Sequence, residues 1–128
     1  MDELTRTMSA AASGMAAQSA RLRLSSENIA NVDTPGYHRK LVSFEETMRD
    51  DSRAVATGPL QLDRTPLDRI HDPNHPLAGV DGYYDGSNVN LMVEIADARE
   101  ANRSYEANLR MFEQARQMAG SLIDLLRR

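Results

Sequence analysis

The last third of the chain carries a pattern of apolar residues that a long α-helix accommodates. From Leu91 onward, mostly apolar residues recur in alternating steps of four and three, and a second stripe beginning at Met111 widens the apolar face. A helix of roughly 37 residues is ~55 Å long, whereas a compact globule of this size has a radius of gyration of only ~14 Å. The helix is therefore expected to protrude unless other helices run beside it. The first stripe consists of Leu91, Ile95, Ala98, Asn102, Tyr105, Leu109, Phe112, Arg116, Ala119, Ile123 and Leu126.

The N-terminal segment repeats this spacing and is the natural partner for that helix. Its stripe is Leu4, Met8, Ala11, Met15, Gln18, Leu22, Ser25 and Ile29. Small residues surround the stripe, so two helices could approach closely, but little area would be buried per residue. We expect the helix to be weak alone and to pair antiparallel with the C-terminal helix. The polar residues Asn102 and Arg116 at core-facing positions either lie at a wet edge or set the register between helices.

A strong termination signal follows the first helix. Asn28 and Asn31 suit a helix end, and Asp33 can hydrogen bond to its own backbone. The next four residues, Thr34, Pro35, Gly36 and Tyr37, have proline second and glycine third, which is the pattern of a type II turn. The sequence therefore predicts that the chain leaves the helix pair here in a defined direction.

The segment between the helices is polar and rich in turn signals. Four of the five prolines fall within residues 45–88, and short strands are predicted at residues 37–44, 54–56, 60–62 and 82–84. The predicted fold is mainly α: a discontinuous antiparallel coiled coil of N- and C-terminal helices with a short irregular and β excursion between them. Residues 1–30 and 89–128 would form the core domain, and residues 31–88 would form the excursion.

The sequence offers little for catalysis or cofactor binding. Cysteine is absent, which excludes disulfides and thiolate chemistry. His71 and His75 have a spacing that could serve a metal on a helix, but Pro73 and Pro76 favour a structural turn there. No glycine-rich phosphate loop is present, and adjacent acidic residues such as Glu45 and Glu46 point apart. We expect no metal, no cofactor and no enzymatic activity.

The charge distribution further restricts the partners. The net charge is −4, and the whole imbalance lies in residues 31–88, which have six basic and ten acidic side chains. Lys40 is the single lysine, which argues against nucleic acid and against direct lipid binding. The acidic N-terminus and the lack of a continuous apolar stretch predict that no cleaved secretory signal is present.

Two long motifs resemble one known family. "ANVDTPGY" at residues 30–37 is similar to a signature of bacterial flagellar basal-body rod proteins. "DPNHPLAGVDGYYDGSNVNLMVEIADAREANRSYEANLRMFEQAR" at residues 72–116 is most similar to one short proximal rod protein of that family. The resemblance covers effectively the whole chain. The large middle domains of hook and distal-rod subunits are absent.

The resemblance implies a structural subunit of the proximal rod, which assembles helically and transmits torque. It also implies export through the flagellar type III apparatus without signal cleavage, a periplasmic location in the basal body, and contacts with copies of itself and other proximal rod subunits. The expected assembly interface is Leu4, Met8, Met15, Leu22, Ile29, Leu91, Ile95, Tyr105, Leu109, Phe112, Met118, Ile123 and Leu126, and the expected rod-motif turn is Asn31, Asp33, Thr34, Pro35, Gly36 and Tyr37. Alternatives are another short rod subunit, a soluble helical adaptor that dimerises through the same stripes, or a hydrolase with an acidic loop site.

Overall fold

Two long terminal helices dominate the molecule, with short strands between them. The computed structural model describes residues 2–49 and 52–127. Helix α1 spans Asp2–Ala30 and helix α2 spans Leu91–Leu126. Between them lie β1 (Lys40–Leu41), β2 (Phe44–Arg49), β3 (Ser52–Thr57), β4 (Gln61–Leu62), β5 (Arg69–His71) and β6 (Tyr83–Asp85). The predicted mainly α fold, with two long helices flanking a partly β excursion, is confirmed.

The two helices pack antiparallel. The Asn28 side chain near the end of α1 bonds to Glu94 in the first turns of α2, and Gly14 in the middle of α1 lies against Asn108. Leu4 and Met118 line one pocket near the start of α1. Helix α2 begins sharply because the Asn90 side chain caps it, accepting hydrogen bonds from the amides of Met92 and Val93.

Small side chains form the contact between the helices. We call this contact the seam; its buried members are Ala11, Gly14, Ala17, Ser25 and Asn28 of α1 and Glu94, Ala101 and Ala115 of α2. A Cβ atom added to Gly14 would lie only 2.7 Å from Oδ1 of Asn108, so the Asn108 side chain packs directly on the α1 backbone at this point. The seam depends on residues that leave little between the helix backbones.

The seam shares Ala11 and Ser25 with the four-three pattern and differs from it at other positions. Gly14 is buried and Met15 is half-buried, and Ala101 is buried whereas Asn102 is exposed. At these positions the seam residue is the one just before the residue that the pattern indicated. The reason is that small side chains, rather than large ones, face the partner helix. Arg116 is also exposed, so the two polar residues of the predicted stripe lie outside the seam.

The first part of the excursion is a long two-stranded ribbon. Strand β1 pairs antiparallel with β4, and β2 pairs with β3. Two residues, 42–43, face three residues, 58–60, on the other strand. The extra residue forms a bulge at Gly58 and Pro59. The ribbon lies on α1, where the Val55 amide donates to Oγ of Ser13 at 3.0 Å and Ala54 is buried. Helix α1 therefore has small residues facing both α2 and the ribbon.

Strand prediction was partly correct. The strands predicted at 54–56, 60–62 and 82–84 are present as β3, β4 and β6. The strand predicted at 37–44 was wrong over most of its length, since only Lys40 and Leu41 pair with a neighbour before β2 begins. Strands β2 and β5 were not predicted because charged residues in "FEETMR" and "RIH" weaken the local strand signal, and cross-strand pairing stabilises them instead.

A cluster of histidine and tyrosine rings joins β5 and β6 to the turn between them. His75 stacks on Tyr84 with ring centroids 3.8 Å apart, and His71 meets the edge of Tyr83 at 4.8 Å. Backbone hydrogen bonds from His75 to Asp72 and from Ala78 to His75 form consecutive turns. The histidine spacing therefore belongs to a turn that aromatic stacking stabilises.

Candidate assembly surface and the polar junction

The turn after α1 adopts the geometry that its sequence predicts. Gly36 has a φ of 74°, and the Tyr37 amide donates to the Thr34 carbonyl at 3.2 Å. The Thr34 hydroxyl donates to Oδ1 of Asn31 at 3.0 Å. The Gly36 amide bonds to the Gly86 carbonyl at 3.0 Å, which ties the turn to the segment just before α2. Asp33 and Pro35, the other residues of the predicted motif, are exposed.

Asn28 lies at the centre of a buried polar junction beside this turn. Its Nδ2 donates to the Lys40 carbonyl at 3.1 Å and to Oε1 of Glu94 at 3.2 Å. Its Oδ1 accepts hydrogen bonds from the Tyr37 hydroxyl at 2.8 Å and from the Lys40 amide at 2.9 Å. The amide thus makes all four hydrogen bonds available to it, and it joins α1, the rod-motif turn, β1 and α2.

Arg39 extends the junction across the first two turns of α2. Its Nε donates to Oε1 of Glu94, and its Nη2 donates to Oδ2 of Asp97 at 2.8 Å. Arg21 of α1 approaches Asp97 and Glu100, each at 3.3 Å. Since Glu94 is 1% exposed, its ion pair is buried, and removing one partner would leave an uncompensated charge.

Polar contacts also attach the excursion to this junction. The Arg39 amide donates to Oδ1 of Asn88 at 2.6 Å, and Nδ2 of Asn88 donates to the Asp63 carbonyl at 2.9 Å. The Ser87 hydroxyl donates to the Val32 carbonyl. The two ends of the excursion are therefore bonded together where it leaves and re-enters the helix pair.

Two pKa shifts report the environment of the junction. Burial raises the pKa of the Tyr37 phenol, which favours the protonated form that donates to Asn28. The hydrogen bond from Lys40 to Glu27, 3.0 Å long, raises the pKa of the Lys40 ammonium. Both raised pKa values extend the range of alkaline pH in which these two donors stay protonated.

The large apolar residues of the chain lie mainly on the surface. Among the described residues, the buried hydrophobic side chains are five alanines and one valine. Twelve large hydrophobic side chains of α2 are exposed: Leu91, Met92, Val93, Ile95, Tyr105, Leu109, Met111, Met118, Leu122, Ile123, Leu125 and Leu126. The chain therefore buries its small side chains and leaves its large ones accessible.

Most of these exposed residues form two flanks on α2. The Leu109 flank comprises Leu91, Ile95, Tyr105, Leu109 and Ile123, and the Met118 flank comprises Val93, Met111, Met118 and Leu125. At 3.6 residues per turn, the flanks lie on opposite sides of α2, each about a quarter turn from the seam. A polar strip containing Arg99, Arg103, Arg110 and Gln117 lies opposite the seam.

The residues predicted for the assembly interface are placed unequally. Those of α1, namely Leu4, Met8, Met15, Leu22 and Ile29, are half-buried. Those of α2 are exposed, except Phe112, which is half-buried; the exposed ones are Leu91, Ile95, Tyr105, Leu109, Met118, Ile123 and Leu126. The structure thus leaves the α2 part of the predicted interface open.

The total surface area agrees with this exposure. The accessible surface is 9031 Å², whereas a compact monomer of 14.2 kDa has about 6,800 Å². The excess of roughly 2,200 Å² is the area that about three contacts of standard size, near 800 Å² per partner, would cover.

Sequence reasoning missed the polar junction. Asn28, Arg39 and Glu94 are separated by up to 66 residues, so no local pattern links them. One signal was available: Glu94 begins a series with Ala101, Asn108 and Ala115 at seven-residue intervals. That series is the α2 side of the seam, and an acidic residue within it indicates a buried partner.

Two further observations bear on the site. None of the described helices combines the length and hydropathy that a membrane-spanning segment needs. Within residues 2–49 and 52–127, His, Asp and Glu side chains do not converge into groups of three that could hold a metal ion.

Comparisons with known proteins agree on one family. A family model described as flagella basal body rod protein matches residues 8–38, and one described as flagellar basal body rod FlgEFG protein C-terminal matches residues 80–125. The flagellar basal-body rod protein FlgC of Agrobacterium fabrum is 43% identical over 136 aligned positions, covering 99% of this chain and 98% of that protein. FlgC of Salmonella typhimurium is 31% identical, covering 84% and 87%. The resemblance found in the sequence is confirmed, and the chain belongs to the FlgC-like family of flagellar basal-body rod proteins.

Proposed function

We propose that this chain is a structural subunit of the flagellar basal-body rod and that its copies pack side by side through the two flanks of α2. The observation that carries the proposal is the exposure of twelve large apolar side chains on α2 above a seam of alanine, glycine and polar residues. Full burial of a Leu or Met side chain contributes about 1.5–3 kcal/mol. A chain that folded only for itself would place such residues in its own helix contact.

The arrangement of the flanks favours an open assembly. Because the Leu109 flank and the Met118 flank lie on opposite sides of α2, each helix can contact a neighbour on both sides. The two flanks differ in their residues, so a flank-to-flank contact is heterologous and produces a ring or an open helix. In this arrangement α1 covers the side of α2 that carries the seam, and the polar strip of α2 faces solvent.

The end of α2 adds a further apolar surface. Leu4 lies level with Met118, so the last turns of α2 extend past the start of α1. Leu125 and Leu126 in these turns are 64% and 82% exposed. Within an assembly, neighbouring subunits would cover this projecting end.

The family membership supports the finer parts of the proposal. Copies of this chain and other proximal rod subunits would be its neighbours in the periplasmic part of the basal body, reached by the flagellar export apparatus. Closely packed helix interfaces have low compressibility and transmit strain, which suits a rod that carries torque. We expect a structural role without catalysis.

Substitution of the flanks tests the proposal. Leu109→Asp and Met118→Asp each place a charge in a proposed subunit contact, where burial of an unpaired carboxylate is costly. We expect both variants to block rod assembly and motility in cells that depend on this chain, while secretion of the subunit continues. Gln117→Asp is the matched control, since it introduces the same charge on the polar strip and should leave motility unchanged.

Sedimentation of the purified proteins separates the proposal from a closed dimer. Wild type and Gln117→Asp should grow into polydisperse species as concentration rises, and the two flank variants should not. A wild-type chain that stops at a dimer would support the adaptor alternative. Normal rods built from either flank variant would refute the assignment of that flank.

A further inference from the structure

We infer that the buried polar junction of Asn28, Arg39 and Glu94, at one end of the seam, is the main determinant of the register of α1 against α2. The inference rests on which residues of α1 and α2 face each other across the seam and on the hydrogen bonds at the end of the seam. It concerns the folded chain itself and is independent of the proposed rod assembly.

The seam carries little register information. On α2 its residues Ala101, Asn108 and Ala115 repeat every seven positions, and Gly14 of α1 faces Asn108. A slip of seven residues would bring Gly14 opposite Ala101 or Ala115, and both side chains are smaller than that of Asn108. Apart from the contact of Gly14 with Asn108, the seam residues are small, so steric fit selects the observed register only through that one contact.

The junction discriminates strongly between these registers. In the observed register Asn28 makes four hydrogen bonds, one of them to Glu94, and both residues are 1% exposed. A seven-residue slip would move Asn28 opposite Ala101 and separate Glu94 from it. Buried polar groups without partners are costly, and a single buried polar position is sufficient to specify register in paired helices.

Arg39 links this register to the direction of the excursion. Its guanidinium bonds to Glu94 and Asp97 on α2, and its backbone amide bonds to Asn88 just before α2. The Arg39 side chain thus contacts α2 only when the rod-motif turn, which lies just before Arg39 in the chain, is correctly placed. Arg39 and Glu94 are positioning residues, which set where the excursion projects from the helix pair.

Disulfide trapping measures the register directly, because the natural chain has no cysteine. Thr7 and Ala115 line one pocket in the observed register, so Thr7→Cys with Ala115→Cys reports the native alignment. Thr7→Cys paired with Asn108→Cys or with Leu122→Cys reports a slip of seven residues in either direction. In the wild-type background we expect the native pair to oxidise at least about tenfold faster than either slipped pair, as 1.4 kcal/mol of register preference would give.

The test removes the junction while preserving an apolar core. In the background Asn28→Leu, Arg39→Met and Glu94→Met we expect equal or greater helicity, since replacing a buried ion pair by apolar residues is often neutral or stabilising. The native preference should nevertheless fall to within about twofold. A control background, Glu27→Gln with Lys40→Met, removes the more exposed ion pair at the same end of α1 and should retain the native preference.

Two results would overturn the inference. One is a native preference of about tenfold that persists in the apolar background, and the other is a wild-type chain that traps slipped pairs as fast as the native pair. If the apolar background loses helicity, the background Asn28→Ala with Arg39→Gln and Glu94→Gln removes the Asn28 amide and both charges. It should likewise lose register preference, and retention there would contradict the inference.

Discussion

At the scale of single residues, the chemistry of this chain is concentrated where α1 ends. The Asn28 amide uses its complete hydrogen-bonding capacity on partners from three other segments. In the sequence Asn28 is simply a polar residue near a helix end, because its partner Glu94 lies 66 positions away. The Thr-Pro-Gly turn beside it was predictable, since Gly36 needs a positive φ that the local sequence already indicates. Local requirements are visible in sequence, and long-range partners are not.

Asp63 provides a residue-scale prediction about pH. Its pKa lies below the ordinary value because the Thr65 amide donates to Oδ1 at 2.9 Å, and Arg39 adds a favourable charge. A carboxyl with a lowered pKa stabilises the folded state above its ordinary value of 3.8, and this stabilisation is lost as pH falls through the lowered pKa. We expect the Thr65 amide resonance to titrate with Asp63 below about pH 4.

Asp63→Asn should abolish that titration and keep the turn, since the amide oxygen can still accept the Thr65 hydrogen bond. Asp33→Asn, at an exposed carboxyl of the rod-motif turn, should leave the Thr65 titration unchanged. Persistence of the same titration in Asp63→Asn would show that another group controls the Thr65 amide.

At the scale of elements, the helices were predictable and their contact face was not. Periodicity predicts a helix of roughly 37 residues from Leu91, and α2 spans Leu91–Leu126. The face turned toward the partner depends on which residues allow close approach, so Gly14 and Ala101 are buried where the pattern of large residues pointed to Met15 and Asn102. Strand β2 depends on pairing with β3, and its own composition gives little signal.

The two glycines inside the helices test the closeness of the seam. Gly120→Ala meets open space and should stabilise α2 by about 1 kcal/mol through helix propensity. Gly14→Ala should not stabilise the protein in this way, because its Cβ would lie 2.7 Å from Oδ1 of Asn108. The Asn108 side chain is held in place, since its amide donates to the Ser104 carbonyl. Urea unfolding followed by circular dichroism at 222 nm compares the two variants.

A companion variant identifies the cause. Gly14→Ala combined with Asn108→Ala should recover the gain, since the obstructing side chain is removed. Equal stabilisation by Gly14→Ala and Gly120→Ala would mean that the Asn108 side chain does not obstruct a Cβ atom at residue 14.

At the scale of the whole molecule, the chain has more surface than its mass requires and a core of small residues. Its 9031 Å² of accessible surface includes large apolar side chains on both flanks of α2. A seam of alanine, glycine and serine contributes little free energy per residue, so the helix pair should be marginally stable until neighbours cover those flanks. The heptad pattern indicated this dependence, because the C-terminal helix was too long for a compact monomer.

Backbone hydrogen exchange, measured on the dilute monomer and on the assembled protein, tests this central claim most directly. We expect amides of α1 and α2 to be protected less than about a hundredfold in the monomer, corresponding to under ~3 kcal/mol, and to become far more protected after assembly. Strong protection of both helices in the monomer, with no increase on assembly, would contradict the claim that neighbouring subunits complete the fold.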